Sequence, residues 1–211
     1  MKKKRGLFAA AGLLIGITSF AGGTAAYLSK SAGEVKNVFT AGSVKAQLTE
    51  AHWDREKALK VYPGQILDKD PVVKNIGENN ANVFLEVTVP MKSISVLDSS
   101  TGKKTQKENR ELFTFQADDT KWTLLYEEKL SKKKKYIYGY KSVLKPGETT
   151  APLFQKLVTV SYLEGELDAG LNYDVPIIAS VIQEQEKDKT MKEIYQEYLK
   201  QSETDLGEVI G

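Results

Sequence analysis

The chain has 211 residues, no cysteine and one histidine, with 30 lysines and arginines against 28 aspartates and glutamates. The missing cysteine excludes thiol catalysis and any disulfide framework, and one histidine cannot supply the paired ligands of an H-E-x-x-H zinc site. Residues 1–26 hold four of the cations and none of the acids, leaving 26 against 28, so the basic balance is no argument for nucleic-acid binding.

Met1-Lys2-Lys3-Lys4-Arg5 is a compact positive cluster, and residues 6–29 carry no charge. The run closes on Ala21-Gly22-Gly23-Thr24-Ala25-Ala26. A charged start, an apolar middle and a small-residue exit are the parts of a secretory signal peptide, with Ala25 and Ala26 as the cleavage residues. The run is also long enough to span a bilayer uncleaved, but its glycines and small exit favour cleavage. The expected product is secreted or held at the cell surface, meets membrane only through its leader, and is held together by its core alone. Cleavage there leaves roughly 185 residues, within the size range of one domain.

Residues 27–41 form an N-terminal segment, and a β domain is expected over 42–184. Residues 43–50 alternate, with Val44, Ala46 and Leu48 inward. His52 is followed by Trp53-Asp54-Arg55, which reads as a packing or surface residue. Pro63-Gly64 and Pro146-Gly147 predict type II turns: proline presets φ and glycine accepts the positive φ that follows. Further turns fall at Asn75-Ile76-Gly77, at residues 99–102 and at Gly165. Val83, Leu85, Val87 and Val89 share one face of a strand, and Phe84, Glu86 and Thr88 the other. Trp122, Leu124 and Tyr126 alternate with Thr123 and Leu125. Lys132 to Lys135 read as a solvated turn that blunts a sheet edge, or as a grip on an anionic wall polymer. Tyr136, Tyr138 and Tyr140 line one side of the next run, and Val158, Val160 and Tyr162 one side of a later one. Residues 175–182 are apolar on both faces, with Pro176 confined to the start of that strand or to an edge.

Short strands with turns between them predict an all-β fold, an antiparallel β-sandwich. The pattern alone does not separate an immunoglobulin-like topology from a jelly roll. In the last segment, 185–211, Met191, Ile194, Tyr195, Tyr198 and Leu199 form a helical stripe, and Thr190 with Glu193 makes a capping box. A short C-terminal α-helix is expected over 190–202, packed on the sandwich, with a loose end over 203–211 and no sorting signal for covalent attachment to a wall. Asp118-Asp119 and Asp68/Asp70 lack the spacing of a known calcium loop. No catalytic, cofactor-binding or metal-ligating residue is assigned, and no cofactor is expected.

Two stretches resemble a known family. Gly22-Gly23-Thr24-Ala25-Ala26-Tyr27-Leu28 looks like the exit cut by the dedicated signal peptidase SipW. Val38-Phe39-Thr40-Ala41-Gly42-Ser43-Val44, Pro63-Gly64-Gln65, the run 70–77 and Ala81-Asn82-Val83-Phe84-Leu85-Glu86-Val87 follow in order, and residues 178–183 are similar to a closing strand. Together they resemble the TasA/camelysin family of exported β-sandwich proteins of Gram-positive bacteria. The middle of the chain and the helical tail are not covered. The resemblance implies a jelly-roll-like sandwich that builds biofilm-matrix fibres, partnered by itself or by a paralogous fibre subunit. In such fibres an N-terminal segment freed by signal cleavage pairs with the next subunit's sheet. Val35, Val38 and Phe39 are the candidate donor-strand residues, though Val38 and Phe39 equally suit the start of the subunit's own first strand. Camelysin-type members also carry a metalloendopeptidase label, which one histidine and scattered carboxylates do not support. A monomeric surface module is the alternative, binding wall polymer or a host ligand through the three tyrosines and the lysine run.

Overall fold

The computed structural model describes residues 34–37, 44–58, 61–98, 100–168, 173–184 and 189–208. The expected leader with Ala25 and Ala26, the candidate donor residues Val38 and Phe39, and the last three residues lie outside the described residues. Eleven strands are described: β1 (Glu34–Asn37), β2 (Ala46–Glu50), β3 (Ile66–Asp68), β4 (Pro71–Asn75), β5 (Ala81–Ile94), β6 (Glu108–Glu111), β7 (Phe113–Phe115), β8 (Trp122–Lys129), β9 (Lys133–Tyr140), β10 (Lys156–Thr159) and β11 (Ile177–Gln183). A single helical turn, α1 (Arg55–Ala58), follows β2, and α2 (Met191–Glu208) closes the chain.

The larger sheet has the order β1-β11-β5-β9-β8, with β6 extending the far end of β5. The smaller layer joins β2-β4 to β3-β10-β7. They join because residues 148–159 run antiparallel to 65–75: the Asn75 amide donates to the Glu148 carbonyl at 2.9 Å, Thr150 to Val73 at 2.9 Å, Lys69 to Gln155 at 3.1 Å and Thr159 to Gln65 at 2.9 Å. The result is the expected all-β antiparallel sandwich with a C-terminal helix. It is jelly-roll-like in that the chain changes layer between β4 and β5 and again between β6 and β7. Among the described strands only β1 pairs in parallel, with β11.

Alternation explains the core. Val83, Leu85, Val87 and Val89 of β5 pack into one inter-sheet core with Val44, Ala46, Leu48, Val73, Trp122, Ala179 and Val181. Each buried Val or Leu contributes about 1.5–3 kcal/mol relative to exposure. Phe84 points the other way and packs beneath α2 with Ile137 and Ile182. Both Pro-Gly turns form as expected, with Gly64 at φ 71° and Gly147 at φ 82°. Their closing bonds run from Gln65 to Tyr62 at 3.2 Å and from Glu148 to Lys145 at 3.1 Å. Pro176 precedes β11, where its carbonyl accepts the Thr88 amide at 3.0 Å.

Four expectations need correction. A bulge between Leu124 and Tyr126 breaks the alternation of β8. Tyr126 therefore opposes Ile137 and faces α2 with Leu125, while Leu124 is exposed; an extra residue flips every side chain after it. In β10 the inward residues are Leu157 and Thr159. The ladder stops at Thr159, and Val160 and Tyr162 reach the core from irregular chain beyond it. Three of the four lysines belong to β9, an inner strand between β5 and β8, so the run guards no edge. The helix continues to Glu208 instead of loosening after 202.

The capping box is present: the Thr190 amide donates to Glu193 Oε2 at 2.7 Å and the Glu193 amide to Thr190 Oγ1 at 3.3 Å. Ile194, Tyr195 and Tyr198 are buried on the sheet, with Phe84 and Tyr195 ring centres 5.1 Å apart. Gly139 makes this approach feasible. A Cβ there would stand 3.1 Å from Met191 Cε and 3.2 Å from Leu125 Cδ1.

Candidate assembly site

The edge of the larger sheet is the first surface to consider. β11 is covered on both faces: Ala179 and Val181 lie in the inter-sheet core, and Ser180 and Ile182 lie under α2. Its one remaining resource is the backbone edge away from β5, and β1 occupies it. The register is Glu34 with Ile178, Val35 with Ala179, Lys36 with Ser180 and Asn37 with Val181. Val35 is thus on a strand of its own chain, in a four-residue parallel ladder. Parallel pairing is slightly weaker per residue than antiparallel pairing, so the β1–β11 ladder is weaker than an antiparallel one of the same length.

The features expected of a binding module are used internally. Tyr138 is buried, and Tyr136 and Tyr140 pack against the same inter-sheet core; Phe115 meets Tyr136 at 5.5 Å and Tyr138 at 6.2 Å. The Tyr136 hydroxyl donates to Glu111 at 2.6 Å. Burial first, and then the Glu111 carboxylate, push its pKa up to about 12. The tyrosine stripe is therefore no exposed contact face. In the lysine run, Lys134 meets Glu127 at 3.0 Å and Glu111 at 3.3 Å, and Lys135 meets Glu86 at 3.0 Å. Burial pulls the Lys134 ammonium down, but Tyr136 and the two carboxylates outweigh it and raise its pKa. Half of the run is thus neutralised within the fold, which weakens the case for wall polymer.

His52 is exposed, with Nδ1 2.6 Å from Asp70 Oδ2. Asp68 pairs with Lys156, whose hydrogen bond and charge lower its pKa. Asp118 caps its own turn by accepting from the Thr120 hydroxyl at 2.6 Å and the Thr120 amide at 3.0 Å. Among the described residues no group of three or more histidines, aspartates or glutamates is placed to hold a metal.

One cluster escaped the sequence reading. Lys69 Nζ lies 2.8 Å and 2.9 Å from the two oxygens of Glu50, and 4.3 Å from the centre of the Trp53 ring. From Gln65 to Asn75 every second residue is buried, so Lys69 shares the inward face with Leu67 and Val73. The alternation was a usable signal; lysine between two aspartates simply reads as loop. Gln65 and Asn75 are enclosed by the same alternation and are satisfied by backbone groups, Asn75 Nδ2 donating to Asn79 at 2.8 Å and to Leu144 at 2.9 Å.

Compared with known proteins, the chain matches no family model, no curated protein and no solved structure.

Proposed function

We propose that this chain is an exported structural protein that forms or joins extracellular matrix fibres by exchanging its N-terminal strand between subunits. The observation that carries the reading is the β1–β11 ladder: four residues, parallel, at a sheet edge whose two faces are already covered. Cleavage after Ala26 would free a chain end seven residues ahead of β1. A strand held this lightly can leave its own edge, and the same residues of a neighbour can take its place with identical hydrogen bonds. Such an exchange costs little, and repeated head to tail it does not close, so a filament results. The resemblance of the leader and first strands to the TasA/camelysin family supports the same reading. It implies SipW as the processing peptidase and the chain itself or a paralogous subunit as partner.

The test is negative-stain electron microscopy of residues 27–211 beside a chain starting at Gly42. Filaments from the longer chain alone are expected. Filaments from both would sink the exchange mechanism while keeping the structural role. Filaments from neither, across concentration and pH, would sink self-assembly and leave an accessory subunit of another fibre.

A further inference from the structure

Two surface features of the sandwich differ in kind. On the outer face of the larger sheet, a cleft of about 320 Å3 lies between α2 and the paired residues Lys135 and Glu128. Tyr126, Ile137, Tyr195 and Leu199 give it apolar walls, and Glu86, Glu127 and Glu128 stand at its rim. Lys135 answers Glu86 and Lys134 answers Glu127, whereas exposed Glu128 has no cation partner among the described residues. The Tyr126 hydroxyl is buried without a hydrogen-bond partner, and the Tyr126 ring already accepts one ammonium, Lys192 Nζ at 4.9 Å from its centre. The cleft thus has a spare negative charge, an apolar body and an aromatic face open to cations.

The second feature is the hairpin around residues 97–104. Leu97 and Lys104 oppose each other across a bridge and so share a face. Leu97 is 46% exposed, and Lys103 and Lys104 have no carboxylate partner among the described residues. The Asp98 carboxylate accepts from the Ser100 amide at 2.9 Å and the Thr101 amide at 2.8 Å. The Leu97 amide donates to the Ser161 carbonyl at 3.0 Å, which ties this hairpin to the irregular chain beyond β10.

We infer that the cleft beside α2 receives the 97–104 hairpin of a second copy of this chain, with Leu97 on its apolar wall and Lys104 on Glu128. The two surfaces differ, so the contact is heterologous and can repeat from copy to copy. A hairpin in so small a cleft buries less than the roughly 1,200 Å2 that a stable pair needs. The inference therefore rests on the assembly reading: strand exchange holds the neighbours, and this contact steers and orients them.

The experiment uses the mature chain with Glu128→Lys, with Lys104→Glu, and with both together, followed by sedimentation velocity and filament growth at low salt. Like charges brought together are expected to slow assembly about tenfold in each single variant, because charge complementarity acts mainly on encounter and orientation. The double variant, and an equal mixture of the two single variants, are expected to recover. At high salt the difference should fade. Single variants that assemble like the parent, or a double variant no better than the singles, overturn the inference. So does a parent chain that does not associate at any concentration. The chain starting at Gly42 separates the two ideas. If it fails to assemble while the charge variants behave normally, strand exchange stands and the cleft contact falls; the reverse pattern removes strand exchange and leaves the cleft contact steering an assembly held by another surface.

Discussion

The Lys69 and Glu50 side chains are only 5% and 3% exposed, and their ions meet at 2.8 Å against the face of Trp53. Withdrawing two charges from water is expensive, and the pair is tolerated because each partner satisfies the other. Lys69→Met alone is expected to destabilise the sandwich by about 3–5 kcal/mol, since Glu50 would keep a buried charge without its ammonium. Lys69→Met together with Glu50→Leu should return stability to the parent value or above, measured by urea unfolding. A single variant as stable as the parent would show that water already reaches the pair. Asp98 gives a pH signature at the same level. Hydrogen bonds, led by the Ser100 hydroxyl and then the Thr101 amide, lower its pKa from 3.8 to about 2. The folded value lies below the unfolded one, so its contribution to the turn is complete above 3.8 and is lost as pH falls through about 2. Carbon-detected NMR titration of the Asp98 carboxyl should find its midpoint near that lower value, and a midpoint at the ordinary one would show that the turn is open in solution.

Among the elements, α2 depends on one small residue in a strand. It crosses β9 where Gly139 has no side chain, letting Met191 and Leu125 meet over the backbone. Gly139→Val is expected to lift α2 and destabilise the protein by about 1–3 kcal/mol through overpacking. Hydrogen exchange should then accelerate in α2 and not in β5, because the inter-sheet core is separate from the cluster under the helix. Uniform acceleration would mean that helix and sandwich unfold as one unit. Most of α2 was legible beforehand: the capping box and the i, i+3, i+4 stripe use neighbours in sequence. The bulge in β8 was not. Alternation reads Leu124 as inward, but a twisted edge strand admits an extra residue at no local sequence signal, and Leu125 and Tyr126 then take the helix-facing positions.

For the molecule as a whole, the question is how much the body depends on β1. Its four residues pair only with β11, whereas β5, β9 and β11 bury the apolar core on both sides. The chain starting at Gly42 is therefore expected to stay folded, with unchanged far-UV circular dichroism and a melting temperature lowered by a few degrees, about what a loss near 1 kcal/mol brings in a domain of this size. Loss of cooperative unfolding in that chain would show that β1 is an integral strand and would remove the basis for exchanging it. An opened β11 edge is also a template for pairing, so the shortened chain should be less soluble than the parent even where it forms no filament.

Residues close in the chain were enough to establish the charge and apolar pattern of residues 1–29, the two Pro-Gly turns, the strands of the core and the cap of α2. Each of these rests on φ preferences, on period-two or helical spacing, or on a cap that reaches three residues along. Long-range packing settled the rest. It put the lysine run inside a sheet, turned Tyr136, Tyr138 and Tyr140 toward the core, buried Lys69 on Glu50 and laid β1 against β11. None of these follows from spacing, because a charge looks solvated and an aromatic stripe looks exposed until the strand beside it is known.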